Sequence, residues 1–146
     1  MNKTIGVLSA ALVSCVFTTA CAVHATATVD PSAHLDRMHT LQVRKLEGED
    51  GSVRKLIAED LRGRGYSVTT DEPPAEKLDG AVTYVDKWTW DMSMYLIDLT
   101  ITIRDPQTDF PLANGNSYRT SLARLSPPEM VKEVLDNIFK ESEKQK

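Results

Sequence analysis

One segment in the middle of the sequence alternates between apolar and polar residues. The apolar side chains of residues 94–104 (MYLIDLTITIR) occupy every second position: Tyr95, Ile97, Leu99, Ile101 and Ile103. Successive side chains of a strand point to opposite faces of a sheet, so this pattern predicts a strand that is buried on one face only. One-sided burial is typical of an antiparallel sheet that is covered by other elements on one side.

Two predicted helices can supply that cover. Residues 126–129 (SPPE) combine an N-cap serine, proline at the first helical position and the glutamate of a capping box. An earlier helix is predicted to begin at a Ser52 cap and to end at Gly63 or Gly65. The C-terminal helix carries one broad apolar stripe: Met130, Val131, Val134, Leu135, Ile138 and Phe139. This stripe is expected to pack on the apolar face of residues 94–104.

The remaining periodic segments complete an α+β domain over residues 38–143. Residues 110–121 are predicted to return as another strand, and the alternative at Asn114-Gly115 is a bulge or a tight turn. The element order is β-α-β-β-β-β-α, which favours a mostly antiparallel sheet of four to five strands with two helices on one face. Besides residues 94–104, strand character is present in residues 38–46, 66–69, 80–90 and 110–121.

The distribution of reactive and charged residues excludes several functions. Both cysteines and all three histidines lie before residue 40. A disulfide, a Cys/His zinc site, a cysteine nucleophile and a Ser-His-Asp triad are therefore not expected within the domain. Lys and Arg number 17 against 21 Asp and Glu, and the net charge of −4 argues against nucleic acid as a partner. We expect no cofactor, no metal and no enzymatic activity.

The N-terminus has the composition of an export signal. Lys3 is the only charged side chain in the first 29 residues, and residues 5–17 are apolar or small. This apolar run is shorter than the ~20 residues that a membrane-spanning helix needs. A positive start, a short apolar stretch and small residues at the cleavage position are typical of a secretory signal.

The end of this signal resembles the lipobox of bacterial lipoproteins. Cys21 follows Ala20 after an apolar run of ordinary length, and it is the preferred site of lipidation; Cys15 follows Ser14 and is the alternative. The resemblance implies a signal peptide over residues 1–20 and a diacylglyceryl group on the cysteine thiol. Cleavage after Ala25 or Ala27, which would release a soluble periplasmic protein, remains open.

The resemblance also implies a location. No Asp follows either cysteine, so the lipid is expected in the inner leaflet of the outer membrane, with the domain facing the periplasm. Residues 21–37 are rich in Ala, Thr and Ser and are predicted to be a flexible tether.

Three further segments are similar to those of a group of uncharacterised proteobacterial outer-membrane lipoproteins. They are residues 82–91 (VTYVDKWTWD), 104–108 (RDPQT) and 117–121 (SYRTS). The topology is loosely similar to that of the lipopolysaccharide-assembly lipoprotein and other auxiliary lipoproteins of envelope machines. The resemblance implies an envelope lipoprotein and brings no activity with it, because a fold alone does not carry function.

An aromatic cluster is the most distinctive candidate site. Trp88 and Trp90 are two positions apart in a predicted strand and therefore project from the same face. With Tyr84 and Tyr95 they form a contact surface if that face is exposed, and part of the core if a helix covers it. The alternation of the strand does not decide between the two. We predict partner-binding residues at Tyr84, Trp88, Trp90, Tyr95 and Arg119.

The acidic residues near this cluster are expected to serve structural roles. Asp86, Asp91 and Asp98 fit turns or a solvent-facing strand better than a catalytic carboxylate pair or a metal site. Arg119 can pair with Asp86 or Asp91 across the sheet, or contact an anion or a partner.

The sequence thus predicts a lipid-anchored, non-enzymatic scaffold or accessory protein of a cell-envelope assembly, with the membrane and an envelope protein as partners. One alternative is a binder of a lipid or other amphiphile, which requires an apolar cavity between sheet and helices. The other is an immunity lipoprotein against a delivered toxin.

Overall fold

The computed structural model describes residues 23–74 and 77–145, which form one six-stranded sheet and two α-helices. The order of strands in the sheet is β1-β6-β5-β4-β2-β3. Short 3-10 helices cover Leu35–Arg37 and Ser121–Ala123. The strands are β1 His24–Val29, β2 Thr40–Val43, β3 Ser67–Thr69, β4 Gly80–Asp91, β5 Ser93–Arg104 and β6 Pro111–Tyr118, and the helices are α1 Ser52–Gly63 and α2 Pro127–Glu143.

The sheet is mixed. Strands β1, β6, β5 and β4 pair antiparallel with one another in that order, whereas β2 is parallel to both β4 and β3. The parallel pair β2 and β3 is joined through α1, as parallel neighbours require a crossover. The predicted combination of a largely antiparallel sheet and two helices is confirmed in outline, but the sheet has six strands rather than four to five.

The additional strand is β1, which lies in the segment that was predicted to be a flexible tether. Residues 24–29 pair with β6 along their whole length, from His24 opposite Tyr118 to Val29 opposite Ala113. Small residues such as Ala27, which lies opposite Gly115, give too weak an apolar period to stand out from a linker. The tether prediction is wrong for these residues.

The core lies between the two helices and one face of the sheet. Gly115 lets α2 approach closely, because a Cβ there would lie 2.8 Å from Ile138 Cγ1 and 2.9 Å from Val134 Cγ1. Gly115 and Asn114 pair regularly with β1 and β5, so the predicted strand continues through this position and the alternative of a bulge or turn here is wrong. The largest buried side chains are Leu35, Leu41, Ile57, Leu61, Leu96, Leu99, Ile101, Ile103, Met130, Leu135 and Ile138.

The helix ends follow the sequence signals with one exception. Ser126 caps α2 in a capping box with Glu129, and Gly65, at φ +97°, terminates the turn after α1. The cap of α1 is Gly51 at φ +83° rather than Ser52. Ser52 is the first helical residue, and its N–H donates to the Asp50 carboxylate at 2.8 Å. That carboxylate takes the capping role that the sequence placed on the serine hydroxyl.

A bulge changes which side chains point towards the core at one end of β5. Lys87 lies opposite Asp98, but the next residue, Trp88, lies opposite Leu96, so Ile97 has no counterpart on β4. Leu99, Ile101 and Ile103 are buried as predicted. Beyond the bulge the buried residue is Leu96, and the prediction that Tyr95 and Ile97 share the core face is wrong.

Among the described residues, no helix has the length and apolar character needed to cross a membrane.

Candidate contact site on a protruding hairpin

The β4–β5 hairpin extends beyond the rest of the sheet. On one side, β2 pairs only with residues 80–82 of β4. On the other side, β6 pairs with β5 only from Asp98 onwards. Residues 88–97 therefore form a two-stranded arm. Its tip is Met92, at φ +59°, between the paired residues Asp91 and Ser93.

The arm carries a group of exposed apolar side chains, here called the apex patch: Trp88, Trp90, Met92 and Met94. Their exposed fractions are 40%, 69%, 92% and 56%. Trp90 lies opposite Met94, and Trp88 opposite the buried Leu96, so these side chains share the face that the helices cover elsewhere. The helices do not reach this far. The structure thus decides for surface over core at both tryptophans.

Arg124, from the connection between β6 and α2, braces the tip of the arm. Its guanidinium lies 4.1 Å from the centre of the Tyr95 ring. It donates to the Ser93 hydroxyl at 2.9 Å and to the Asp91 carbonyl oxygen, and it lies 3.5 Å from the Asp91 carboxylate. Sequence reasoning missed this residue because no local pattern links it to a hairpin some 31 positions earlier in the chain.

The three aspartates around the arm each have separate partners. Asp86 accepts from the indole N–H of Trp88 at 2.7 Å. Asp98 pairs with Lys87 at 2.9 Å and accepts from the side-chain amide of Asn116. Asp91 pairs with Arg124. In the described parts of the chain no group of three potential metal ligands is present.

Two of the predicted partner-binding residues lie away from the apex patch. Tyr84 is 3% exposed, and burial raises the pKa of its phenol, with the nearby Glu49 carboxylate adding to the rise. Arg119 pairs with Glu133 of α2, which also accepts from the Ser117 hydroxyl at 2.6 Å. The predicted pairing of Arg119 with Asp86 or Asp91 is wrong, because its side chain turns towards α2. Tyr95 is half-buried beneath Arg124.

A cleft of about 490 Å³ lies beside Trp88, between the arm and the loop before α1. The amphiphile-binding alternative requires an apolar cavity between the sheet and the helices, and this cleft is not such a cavity. The lining residues are mostly polar or acidic: Leu46, Glu47, Gly48, Glu49, Asp50, Ser52, Asp86 and Trp88.

The start of the described chain lies at the same end of the sheet as the arm. His24 is opposite Tyr118, Tyr118 is opposite Asp98, and Asp98 is opposite Lys87, the last residue before the arm. The rings of His24 and Tyr118 stack with their centres 5.3 Å apart. Cys15 and Cys21, the predicted lipidation sites, lie outside the described residues.

In sequence, no protein-family profile and no curated protein matches the chain. In fold, the chain is similar to PelC from Paraburkholderia phytofirmans. The PelC dodecamer in space group P6 has a TM-score of 0.58 and 13% identity over 81% of this chain and 97% of PelC. A single-residue variant of PelC, also a dodecamer, gives 0.56 and 14% over 80% of this chain and 96% of that one.

The fold of this chain is also similar to one part of TolB from Acinetobacter baumannii. Its TM-score is 0.51 at 15% identity, over 82% of this chain and 31% of TolB. At these identities the likeness concerns the fold alone.

Proposed function

We propose that the chain is a lipid-anchored outer-membrane lipoprotein that faces the periplasm and acts as a non-enzymatic accessory or scaffold protein of a cell-envelope assembly. The apex patch is the observation that carries this proposal. Trp90 and Met92 are apolar and largely exposed at the end of a braced arm. Soluble monomers seldom expose clustered large apolar side chains unless the surface contacts something.

The polar groups around the arm support binding rather than catalysis. Asp86, Asp91 and Asp98 are each tied to a different side chain. A catalytic carboxylate pair requires two groups that face one pocket with separated pKa values.

The acidic walls of the cleft beside Trp88 do not favour an acyl chain, so no described feature supports the amphiphile alternative. None favours the immunity alternative either.

Capture from cross-linked envelopes tests the accessory role. Full-length tagged protein is cross-linked in living cells, purified, and analysed by mass spectrometry. We expect one envelope protein in stoichiometric amount. A preparation without such a protein would contradict the scaffold proposal. The anchor is expected to contribute, because attachment to the membrane raises the local concentration of the domain near its partner.

Matched variants sharpen this experiment. Cys21→Ala is expected to lose the captured protein, whereas Cys15→Ala is expected to retain it. Trp90→Ser is expected to weaken capture, because the apex patch either contacts the partner or holds the domain in position at the membrane. Phe110→Ser is the control, because Phe110 is also half exposed but lies at the turn between β5 and β6, at the other end of the sheet.

A further inference from the structure

We propose that the apex patch inserts into the interfacial layer of the same bilayer that holds the N-terminal lipid, so that the domain is docked at two points. The inference rests on the proposed function, because it requires lipidation at Cys21. It identifies the occupant of the apex patch as the lipid surface.

The register of the sheet supplies the first argument. His24, Tyr118, Asp98 and Lys87 form one row across four strands. The chain enters the sheet at one side of this row, at His24. The arm leaves the sheet from the same row, just after Lys87. A lipid attached before His24 therefore brings the end of the sheet that bears the arm towards the membrane.

Chain length supplies the second argument. Three residue steps separate Cys21 from His24, and they span at most ~10 Å when fully extended. Trp90 is also three residues beyond the row, and Met92 is five, which at the rise of a strand corresponds to ~10 Å and ~16 Å. An arm directed at the membrane is thus as long as the connection to the lipid, or longer. Too little space remains for a protein to sit between the apex patch and the bilayer.

The chemistry of the arm agrees with a lipid interface. Tryptophan prefers this layer because its ring is apolar and its N–H is polar. Leu122, which is 88% exposed, lies in the same connection as Arg124 and adds to the apolar surface at this end. Phe110 is an exposed large apolar residue at the opposite end.

The charges around the arm determine which lipids fit. Lys87 and Arg124 are paired with Asp98 and Asp91, so the arm, as far as the structure describes it and its surroundings, presents no cluster of free basic groups. The adjacent cleft is lined by acidic residues. Insertion is therefore expected into zwitterionic bilayers and to change little with salt, unlike the binding of a polybasic segment.

The two tryptophans of the arm are the only ones in the chain, so their fluorescence reports on the apex patch alone. Full-length lipidated protein is reconstituted into phosphatidylcholine vesicles that contain phosphatidylcholine brominated at defined acyl positions. We expect a blue-shifted emission and loss of most of the fluorescence when bromine lies near the headgroups. The Trp88→Phe variant keeps Trp90 as its only tryptophan, and the Trp90→Phe variant keeps Trp88. We expect bromine to quench Trp90 more than Trp88, because Trp90 is nearer the tip of the arm.

Two further variants provide the controls. Met92→Asp places a charge at a tip position that is 92% exposed, and it is expected to abolish quenching without unfolding the domain. Phe110→Ser, at the far end, is expected to leave quenching unchanged.

Each failure has its own signature. Solvent-like, unquenched emission from protein whose mass includes the lipid would overturn the inference and leave the lipoprotein proposal standing. Protection of the tryptophans from a soluble quencher by an envelope protein, without quenching by brominated lipid, would overturn it in favour of a protein contact. A mass without the lipid would overturn the proposed function and this inference together.

Discussion

Arg124 holds the tip of the arm from outside the two strands that form it. Its guanidinium stacks on Tyr95 and donates to Ser93 and to the Asp91 carbonyl oxygen. A two-stranded ribbon without neighbours is only marginally stable in water, so contacts from outside matter more here than in the middle of the sheet.

Replacement of Arg124 by Ala is therefore expected to increase local opening of the arm while the rest of the domain stays folded. A cation–π contact at a partly exposed site contributes about 0.5–1 kcal/mol, and the hydrogen bonds to Ser93 and Asp91 add about 1 kcal/mol, so the free energy of unfolding should fall by ~1–2 kcal/mol. Backbone amides of residues 91–95 should exchange hydrogen faster.

Arg44→Ala is the matched control, because Arg44 pairs with Asp109 at 2.7 Å at the far end of the sheet. Equal exchange at the tip in both variants would show that Arg124 does not brace it.

Gly115 is a second position at which one residue sets the geometry of a larger unit. A Cβ there would lie under 3 Å from Ile138 and Val134 of α2. Overfilling a packed core costs about 1–3 kcal/mol, so Gly115→Ala should lower the midpoint of thermal unfolding.

Gly63→Ala is the comparison, since nothing lies within 4 Å of a Cβ at that helical position. It should be neutral or slightly stabilising. An unchanged midpoint for Gly115→Ala would contradict the packing argument.

Residue roles were harder to predict from sequence than residue positions. Trp88 and Trp90 were correctly placed on one face, because alternation along a strand is a local property. Whether that face is covered depends on where the helices end, and the sequence pattern does not encode this. Arg119 was assigned to the wrong partners for the same reason: its side chain meets Glu133 on a helix, and not the strand aspartates.

At the scale of elements, the capping box links the stability of α2 to pH. Glu129 accepts hydrogen bonds from the hydroxyl and the N–H of Ser126, and these hydrogen bonds lower the pKa of its carboxyl. A lowered pKa in the folded state means that the contribution to stability is present above the ordinary value of 4.5. It is lost as the pH falls through the folded value.

Ser126→Ala is expected to destabilise the protein by about 1 kcal/mol at neutral pH, as is typical for loss of an N-cap. The destabilisation should shrink in acid, below the pKa of Glu129 in the folded state. Denaturation curves of the wild type and of Ser126→Ala, recorded at neutral pH and in acid, measure this difference in the free energy of unfolding. In a Glu129→Gln background the cost of Ser126→Ala should be the same at both, because the amide does not titrate. A pH-dependent cost in that background would contradict the assignment to Glu129.

The elements with strong periodic or capping signals were predicted well, and those set by pairing were not. The start of α2 and the strand character of β4 and β5 followed from local chemistry. β1 was missed because its contacts are with β6, almost ninety residues later in the chain. The bulge at Ile97 was missed because it exists only in the register between β4 and β5. Long-range pairing decides both features.

At the scale of the whole molecule, the arm and the start of β1 give the domain a direction. They lie at one end of the sheet, while Phe110 and the Arg44–Asp109 pair lie at the other. A domain anchored before His24 would therefore direct the apex patch at the membrane and the β5–β6 turn into the periplasm. This orientation depends on a short connection to the lipid, and so on which cysteine carries it.

The lipidated cysteine is identified by palmitate incorporation. Cys21→Ala is expected to abolish labelling, because a lipobox acts through one thiol, and Cys15→Ala is expected to keep it. The reverse result would place the lipid six residues further from the sheet, ~20 Å more of extended chain. The arm would then no longer be forced against the bilayer, and quenching of Trp90 by brominated lipid should weaken accordingly. Labelling and quenching are therefore expected to agree: lipid on Cys21 with a quenched arm, or lipid on Cys15 with an arm free to contact a protein.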